Sequence, residues 1–429
     1  MQKNGEISVE SGYLRNLEKK VEDLRILTEV SAAISSTLDL KELLTIVMEK
    51  AKRVMDAEAC SILLYNRESN KLEFEVALCN EEGTSDILKK TITLDIGQGI
   101  AGWVAEHQEM IIIKDAKSDK RFFQDADKLT GFQTRNLIAA PLIGRRGLIG
   151  VAELINLKRE DYDLEILKLL VKQYAIAIEN ALYHTESLKQ ERLKQEIEIA
   201  STLQKSFLPE SPVFKKGNIV ASAVNFPAKQ VGGDLYDFIE PAENRAGIFI
   251  GDVSGKGVSA ALYMAKIISD FRYQAHSAGS PEILMDRLNK VLSNAPRGMF
   301  LTAVYIMVDV LSGEFCVSGA GHPPFLWISG HEVQVMFVPS GPPLGIIPEE
   351  YPVSCFSLRR GDRLVLLTDG VFEAKDKAGN RIGFDSIVAF VRDHADAENI
   401  VETLTNYVNE FARGAEQADD LTIVEISFP

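Results

Sequence analysis

Short runs in which hydrophobic and polar residues alternate occupy the middle of the first half of the chain. They predict two β-hairpins, each closed by a polar turn. The predicted strands are 59–66, 71–78, 135–143 and 147–156. Hydrophobic residues with helical spacing occur on both sides of them, at 24–36, 40–55 and 163–184. Strands enclosed by helices at both ends predict an α+β module.

The second half of the chain shows a longer succession of apolar, strand-like runs. The predicted strands are 219–226, 247–253, the hairpin 300–320 with a tight turn at Ser312 and Gly313, 325–328, 363–372 and 421–428. The predicted helices are 258–275, 281–295 and 399–414. Two helices between two blocks of strands predict two sheets packed face to face, with helices outside.

Helical periodicity joins the two halves, because no glycine or proline interrupts the chain from 181 to Pro209. Two sets of residues keep the alternating three-and-four spacing of a coiled-coil seam. They are Leu167, Leu170, Tyr174, Ala177 and Ala181, and then Leu193, Ile197, Ala200, Gln204 and Phe207. The sets are out of phase, and a phase break in a dimeric helix is a natural place for a change of twist.

A shorter seam precedes the first module. It consists of Leu14, Leu17, Val21 and Leu24. Two interpretations stay open: a helix that pairs with a partner helix, or an amphipathic helix packed on its own domain.

The composition narrows the class of protein. A chain of 429 residues with 46% hydrophobic residues is long enough for two or three domains with ordinary cores. The formal net charge of −15 supplies no basic face, so we expect no nucleic acid partner. No apolar run approaches the roughly 18 residues that a membrane helix needs. The start, MQKNGEISVE, lacks a hydrophobic segment, so we expect no signal peptide and a cytoplasmic protein.

Four cysteines occur in the chain, none of them in a CxxC pair. They are Cys60, Cys79, Cys316 and Cys355. Because three lie inside apolar, strand-like runs, we expect buried, reduced thiols. A disulfide framework is not expected in so long a chain.

The segment GDVSGKG contains glycines and a lysine but does not fit a nucleotide phosphate loop. Only three residues separate Gly251 from the Gly-Lys pair, and Gly257 stands where that loop needs a hydroxyl. What remains is Asp252, directly after an apolar strand.

Other aspartates share this position at a strand boundary. They are Asp234, Asp369, Asp419 and Asp420. One aspartate beside a glycine is an ordinary turn residue. Several gathered at one edge would repel one another and raise their pKa values, a conflict that a cation resolves. Carboxylate oxygens suit Mg²⁺ or Mn²⁺ with water in the open positions.

Residues of the first module resemble a GAF domain. The resemblance lies in GQGIAGWVAEHQEMIIIKDAKSDKRF, in the hairpin containing APLI and in the closing helix. It implies a sensor domain that can hold a small molecule of unknown identity. Asn156 and Lys158 faintly resemble the NK motif of cyclic-nucleotide-binding members, but their spacing favours a plain structural GAF fold.

The second half resembles the SpoIIE-type branch of the metal-dependent type 2C protein phosphatases. The ordered motifs are QVGGDLYD, GDVSGKG, FLTAVYIMVD, GAGHPPFL, LLTDGVFEA and DDLTIV, preceded by LQKSFLPE. The resemblance implies an αββα sandwich and two-metal hydrolysis of phosphoserine or phosphothreonine. Its implied substrate is a phosphorylated STAS-domain protein, an antagonist of an anti-sigma factor.

The resemblance also implies roles for individual residues. Asp252 would bridge two Mn²⁺ or Mg²⁺ ions and, with Asp369, serve catalysis. Asp234 would bind one ion and Asp369 the other. The Val253 carbonyl and Asp419 complete the implied metal ligands.

Some assignments stay open. Asp420 is the alternative to Asp419 as a metal ligand. Asp237 is expected to support the ligands without binding an ion itself. Ser254 stands where the eukaryotic branch has a histidine, and no phosphate-gripping arginine is evident. His322 is therefore a candidate general acid, although a His-Pro-Pro loop is more often structural.

Together these interpretations predict an α+β protein. We expect an N-terminal helix at 1–20, a GAF sensor domain at 21–183, a coiled-coil linker at 184–208 and the phosphatase domain at 209–429. The linker would form a homodimer and carry a signal from the sensor. Two alternatives are a non-catalytic binding scaffold and a nucleotide cyclase, the latter because GGDLY resembles a GGDEF signature.

Overall fold

The computed structural model describes residues 39–78, 92–159, 164–293 and 298–429, together with Val21, Arg25 and Thr28. Apart from Val21, Arg25 and Thr28, the predicted helices 1–20 and 24–36 and the first seam lie outside the described residues, as does Cys79. The chain divides into two compact units, Met1–Arg192 and Leu193–Pro429.

The first unit is built on an antiparallel sheet with the strand order β3-β2-β1-β6-β5-β4. Both predicted hairpins are confirmed, because β1 pairs with β2 and β5 with β6. The elements are α1 (Leu40–Val54), β1 (Ala57–Asn66), β2 (Lys71–Leu78), β3 (Thr93–Asp95), α2 (Gly99–His107), β4 (Ile111–Ile113), a 3₁₀ turn (Ala116–Ser118), α3 (Asp125–Thr130), β5 (Leu137–Gly144), β6 (Gly147–Leu157) and the first part of α4 (Leu164–Lys205).

Two hydrophobic clusters cover the two faces of this sheet. Helix α1 and the start of α4 pack on one face, and α2 with the segment around Phe122 packs on the other. Helix α1 begins where the sequence predicts, because the Asp39 carboxylate accepts a hydrogen bond from the Glu42 amide at 2.9 Å. The sheet is therefore buried on both sides, as in a sensor module with a closed core.

Helix α4 is continuous from Leu164 to Lys205, as the absence of glycine and proline predicts. The first of its two seams, however, packs inside the first unit instead of facing a partner helix. All five members are buried in the cluster that contains α1: Leu167, Leu170, Tyr174, Ala177 and Ala181. The phase break thus follows from this packing, since only the second seam is outside the GAF-like core.

The second unit contains two sheets. One has the strand order β15-β12-β11-β10-β9, with β16 also paired to β12, and the other has the order β14-β13-β17-β18-β8-β7. The elements are β7 (Val213–Lys216), β8 (Ile219–Phe226), β9 (Leu235–Ala242), β10 (Arg245–Val253), α5 (Val258–Ala278), α6 (Pro281–Leu292), β11 (Leu301–Asp309), β12 (Glu314–Ala320), β13 (Phe325–Ser329), β14 (Glu332–Met336), β15 (Ser340–Gly341), β16 (Ser354–Ser357), β17 (Arg363–Leu367), α7 (Asp369–Glu373), α8 (Phe384–Asp393), α9 (Ile400–Phe411) and β18 (Leu421–Ser427).

Strand β10 shows how the apolar run GIFI builds the layers. Ile248 and Ile250 face the cluster between the two sheets, whereas Phe249 faces the cluster under α5 and α6. A third cluster joins the other sheet to α8 and α9. The predicted sandwich, helices–sheet–sheet–helices, is confirmed.

The predicted strand 363–372 is wrong in its second half. Strand β17 ends at Leu367, and the short helix α7 begins at Asp369. At Gly370 a Cβ atom would lie 1.9 Å from the Asp420 carbonyl oxygen, so the chain turns where only glycine can approach β18.

The expectation of reduced thiols is wrong for two of the four cysteines. Cys316 and Cys355 form a disulfide, since β12 and β16 place them directly opposite each other in an antiparallel pair. For Cys60 the expectation is confirmed, because its buried thiol lies outside any disulfide.

Candidate active site

Asp252 reaches the site from the end of a central strand. It is the penultimate residue of β10, opposite Thr302 on β11, and is partly buried. After Val253 the chain turns sharply into α5, and Gly255 and Gly257 adopt φ values of +95° and +78°. Glycine adopts this left-handed region without steric cost. The glycines of GDVSGKG therefore direct the chain away from Asp252 instead of cradling a nucleotide.

Asp234 lies just before β9 and is only 3% exposed. Its Oδ2 accepts hydrogen bonds from the Thr368 hydroxyl at 2.7 Å and the Thr422 hydroxyl at 2.6 Å. Thr368 follows β17 and Thr422 lies in β18, so both donors come from the opposite sheet. This carboxyl group thus joins the two sheets at the edge where Asp252 ends its strand.

The neighbouring carboxylates Asp419 and Asp420 have different surroundings. Asp420 is buried, and its oxygens accept hydrogen bonds from the Ala228 amide at 2.7 Å and from the Gly233 amide. A Cβ atom on Gly232 would lie 2.3 Å from Asp420 Oδ2. Asp420 therefore shapes the loop that carries Asp234.

Asp419 is more exposed than Asp420 and pairs with a cation. Lys256 Nζ lies 2.8 Å from Asp419 Oδ2 and 2.6 Å from the Ala418 carbonyl oxygen. Since Lys256 belongs to GDVSGKG, this contact connects the loop after Asp252 to the segment before β18. Of the two neighbouring aspartates, Asp419 has the side chain that is more accessible to a ligand.

The pKa values indicate that the carboxyl groups share one region. Burial, followed by the charges of Asp369 and Asp419, raises the pKa of Asp252 to about 7, against a smaller opposing effect of a hydrogen bond with Asp234. Burial, followed by the charge of Asp252, raises the pKa of Asp234 well above its usual range. Burial, followed by the charge of Asp419, raises the pKa of Asp369. The sequence-predicted carboxylates thus act on one another electrostatically.

The donor chemistry fits divalent cations held by pairs of carboxylates. Within the described residues, no group of three or more His, Cys, Asp or Glu side chains is arranged to hold a single ion. Mg²⁺ commonly keeps several waters and takes only one or two carboxylates, so pairs suffice. The Val253 carbonyl oxygen lies 2.8 Å from where a Gly233 Cβ would be, so this oxygen stands beside the Asp234 loop.

Two neighbours of the site, Thr368 and Thr422, escape sequence reasoning, since they are separated from Asp234 by 134 and 188 positions. The sequence predicts that Lys256 borders a metal site, but its contact with Asp419, 163 positions away, is not predicted. The only feature of the sequence that points to Thr368 is its place directly before the predicted ligand Asp369.

Asp237 is committed to an ion pair. Its carboxylate accepts from Arg272 Nε at 2.6 Å, and the same guanidinium donates to the Phe207 carbonyl oxygen at 2.8 Å. Burial raises the pKa of Asp237, and Arg272 acts in the opposite direction. Asp237 is therefore a structural contact of α5.

His322 is poorly suited to be a general acid at neutral pH. Burial lowers the pKa of its imidazole to about 4, so the ring is neutral at pH 7. Its Nδ1 lies 3.4 Å from the Thr302 hydroxyl. Thr302 is the residue that pairs with Asp252 across the two strands. The contact of His322 with Thr302 agrees with a structural role for the His-Pro-Pro loop.

The GGDLY and NK-like motifs lie in settings that differ from those of the families they resemble. Gly232, Gly233 and Asp234 lie in the loop before β9 instead of a hairpin turn, which disfavours the cyclase interpretation. Asn156 has φ of +54° and is 1% exposed. Its amide contacts the Arg135 amide, the Gln133 carbonyl and Glu58, so it is a structural residue of the first unit.

Family comparisons agree with this division of the chain. A family model described as "Stage II sporulation protein E (SpoIIE)" matches residues 242–429, and one described as "GAF domain" matches residues 39–178. A GAF domain precedes a SpoIIE-type domain in this chain. The SpoIIE match contains Asp252, Asp369 and Asp419, whereas Asp234 precedes it.

Two similar curated proteins each match a little under half of the chain. Phosphoserine phosphatase RsbP of Bacillus subtilis (strain 168) is 31% identical over 210 residues, covering 48% of this chain and 50% of the relative. Phosphoserine phosphatase RsbU of the same organism is 32% identical over 194 residues, covering 44% of this chain and 57% of the relative. The chain thus spans about half the length of the curated relatives it matches.

A solved structure supports the fold of the SpoIIE-type domain. The SiaA-PP2C domain of Pseudomonas aeruginosa superposes with a TM-score of 0.51 at 21% identity, covering 56% of this chain and 99% of that chain. At this identity the likeness concerns the fold alone.

Proposed function

We propose that the SpoIIE-type domain is a metal-dependent protein phosphatase that hydrolyses phosphoserine or phosphothreonine. The observation that carries this proposal is the mutual influence of Asp234, Asp252, Asp369 and Asp419 at one edge of the sandwich. The names of the relatives, both phosphoserine phosphatases, favour the same reaction class.

The proposed ligands are those that the sequence predicts. Asp252 would be shared by two ions, Asp234 and Asp369 would each hold one, and the Val253 carbonyl and Asp419 would complete the set. Bound Mn²⁺ or Mg²⁺ would supply Lewis-acid activation of water and neutralise charge on the phosphoryl oxygens. The chain itself fixes the oxygen donors: Thr368 and Thr422 orient Asp234.

Lys256 has a positioning role in this proposal. Its ammonium group holds Asp419 and the Ala418 carbonyl, so it keeps the segment before β18 next to the loop after Asp252. The charge of Lys256 also lowers the pKa of Asp369, against the larger effects of burial, Asp419 and Glu373. The lysine therefore favours the ionised form of a proposed ligand.

The proposed substrate is a phosphorylated STAS-domain protein that antagonises an anti-sigma factor. We further propose a cytoplasmic homodimer in which the GAF domain controls the phosphatase through α4, with domain boundaries at 21–183, 184–208 and 209–429. Within the described part of the chain, no helix combines the length and apolar character needed to cross a bilayer.

The test is release of inorganic phosphate from a phosphoserine-containing STAS-domain protein, titrated with Mn²⁺. We expect Asp252→Asn to lower kcat/KM by at least about 100-fold, because it removes a carboxylate shared by both proposed ions. Asp393→Asn, at the exposed end of α8, makes the same chemical change away from the site and should leave the rate unchanged.

Phosphate release that persists in Asp252→Asn would overturn the mechanism. Absence of release by the wild type at every Mn²⁺ concentration, on phosphoserine and phosphothreonine proteins alike, would favour the non-catalytic scaffold. Release from other phosphoproteins but not from the STAS-domain protein would remove only the proposed substrate.

A further inference from the structure

A cavity of about 100 Å³ opens on one face of the sheet in the GAF domain. It is lined by β1, β2 and β6 on one side and by residues between 94 and 137 on the other. Its aromatic lining residues are Phe74, Phe122, Phe123 and Phe132. This volume is smaller than that of an apolar cavity of about 150 Å³, which admits benzene, so the cavity suits only a small, compact organic group.

One carboxyl group interrupts the apolar lining of the cavity. Along β6, Val151, Glu153 and Ile155 share one face, and both apolar neighbours pack in the cluster on that face. Glu153 lies in a central strand but keeps some accessible surface, because it lines the cavity. A carboxyl group at a core-facing position breaks the hydrophobic pattern of the strand, and such violations concentrate at functional sites.

The hydrogen bonding of Glu153 is incomplete. Ser61, directly opposite on β1, donates its hydroxyl to Glu153 Oε2 at 2.7 Å. Among the described residues no other group hydrogen-bonds to this carboxyl. Burial raises its pKa, and the Ser61 hydrogen bond acts in the opposite direction. A partly buried carboxyl group with one partner has unused acceptor capacity.

The second carboxylate of the lining is already satisfied. Asp127 accepts hydrogen bonds from the Thr134 amide and the Thr134 hydroxyl, both at 2.8 Å. Within the described residues the lining contains no Lys, Arg or His. A ligand with a phosphate or carboxylate would therefore meet like charge and, among the described residues, no cationic partner.

We propose that this cavity binds a small organic cation, a protonated amine on a compact apolar body, with Glu153 as its counter-ion. An ammonium group would donate further hydrogen bonds to Glu153 and place a positive charge beside its carboxylate. The phenylalanine rings suit both the apolar body and the cation, which is attracted to aromatic faces. The site lies in a different unit from the proposed phosphatase site, so the two proposals stand or fall separately.

Three probes that share an isobutyl group test this proposal on the full chain by ligand-observed NMR. They are isobutylammonium, isobutanol and isovalerate; the ammonium and the alcohol match in size, and the carboxylate is two heavy atoms larger. We expect isobutylammonium to bind at least tenfold more tightly than isobutanol, and isovalerate not to bind. In Glu153→Gln the preference for the ammonium over the alcohol should fall below twofold.

Two further variants separate recognition from folding. Glu73→Gln makes the same change at an exposed position of β2 and should keep the preference. Ala126→Leu fills the cavity from α3, leaves Glu153 intact and should abolish binding of the ammonium. The proposal is overturned if none of the probes binds, if the alcohol binds as well as the ammonium, or if the ammonium still binds to folded Glu153→Gln or Ala126→Leu with wild-type affinity.

Discussion

The Asp252 carboxyl group stands where its own charge is unfavourable unless a cation is nearby. Burial and the charges of Asp369 and Asp419 raise its pKa to about 7, whereas an unfolded chain gives aspartate a pKa of about 3.9. A carboxyl group that is easier to protonate in the folded state makes the native protein bind more protons than the unfolded chain between these values. The proposed metal ligand thus costs stability when metal is absent.

This imbalance predicts the pH dependence of stability without metal. In EDTA, the contribution of Asp252 to the free energy of unfolding should fall as pH rises from about 4 to about 7, by up to about 4 kcal/mol, and then level off. Asp252→Asn cannot ionise, so it should be more stable than the wild type at pH 8 and equal to it near pH 4. Urea unfolding at both pH values measures the difference.

Asp393→Asn is the matched control for this experiment, because its exposed carboxylate lies at the end of α8. It should follow the wild-type curve at every pH. A wild type that exceeds Asp252→Asn in stability at pH 8 in EDTA would show that the carboxylate is stabilised by the fold itself, and the argument for a cation would fail.

At the level of elements, edge strand β16 depends on a covalent link as well as on hydrogen bonds. It pairs only with β12 among the described strands, over the four residues from Ser354 to Ser357, and the Cys316–Cys355 disulfide lies within that pairing. The linked positions are 39 residues apart. Closing a loop of that length in the unfolded chain removes entropy equivalent to about 4 kcal/mol.

Without reductant, Cys355→Ser should therefore have a free energy of unfolding roughly 2–4 kcal/mol lower than that of the wild type. In dithiothreitol the wild type and the variant should become equal, which makes the reduced protein its own control. Thiol titration of the denatured, unreduced wild type should find two of the four cysteines reactive. Four reactive thiols would mean that these strands pair without the disulfide.

At the level of the whole molecule, the sequence predicts the carboxylates of the proposed site but not the residues that support them. Asp234, Asp252, Asp369 and Asp419 each mark a strand boundary, and strand ends on facing sheets can meet at one edge. The hydroxyls of Thr368 and Thr422 escape prediction because threonine in or just after a strand is ordinary, and their contact with Asp234 exists only after both sheets form. Strand β16 is missed for a similar reason, since a four-residue edge strand has too little pattern of its own.

The proposed homodimer makes a prediction for the intact chain. Large apolar side chains remain exposed along the later part of α4, among them Leu193 at 57%, Ile199 at 62% and Leu203 at 59%. Single exposed apolar residues are common on protein surfaces, but three within about three turns of one helix are costly unless a partner covers them. The first seam of α4 is already buried within the GAF domain, so pairing through this helix depends on the part after it.

Light scattering of the full chain should give twice the chain mass of 47.5 kDa. Leu193→Glu places a charge in the predicted seam and should raise the dimer dissociation constant at least tenfold, which corresponds to about 1.4 kcal/mol. Gln195→Glu adds the same charge two positions away, on another face of the helix, and should leave the constant within twofold. A monomeric wild type, or equal weakening by both variants, would exclude α4 as the dimer contact. Control of the phosphatase by the GAF domain would then need a route within one chain.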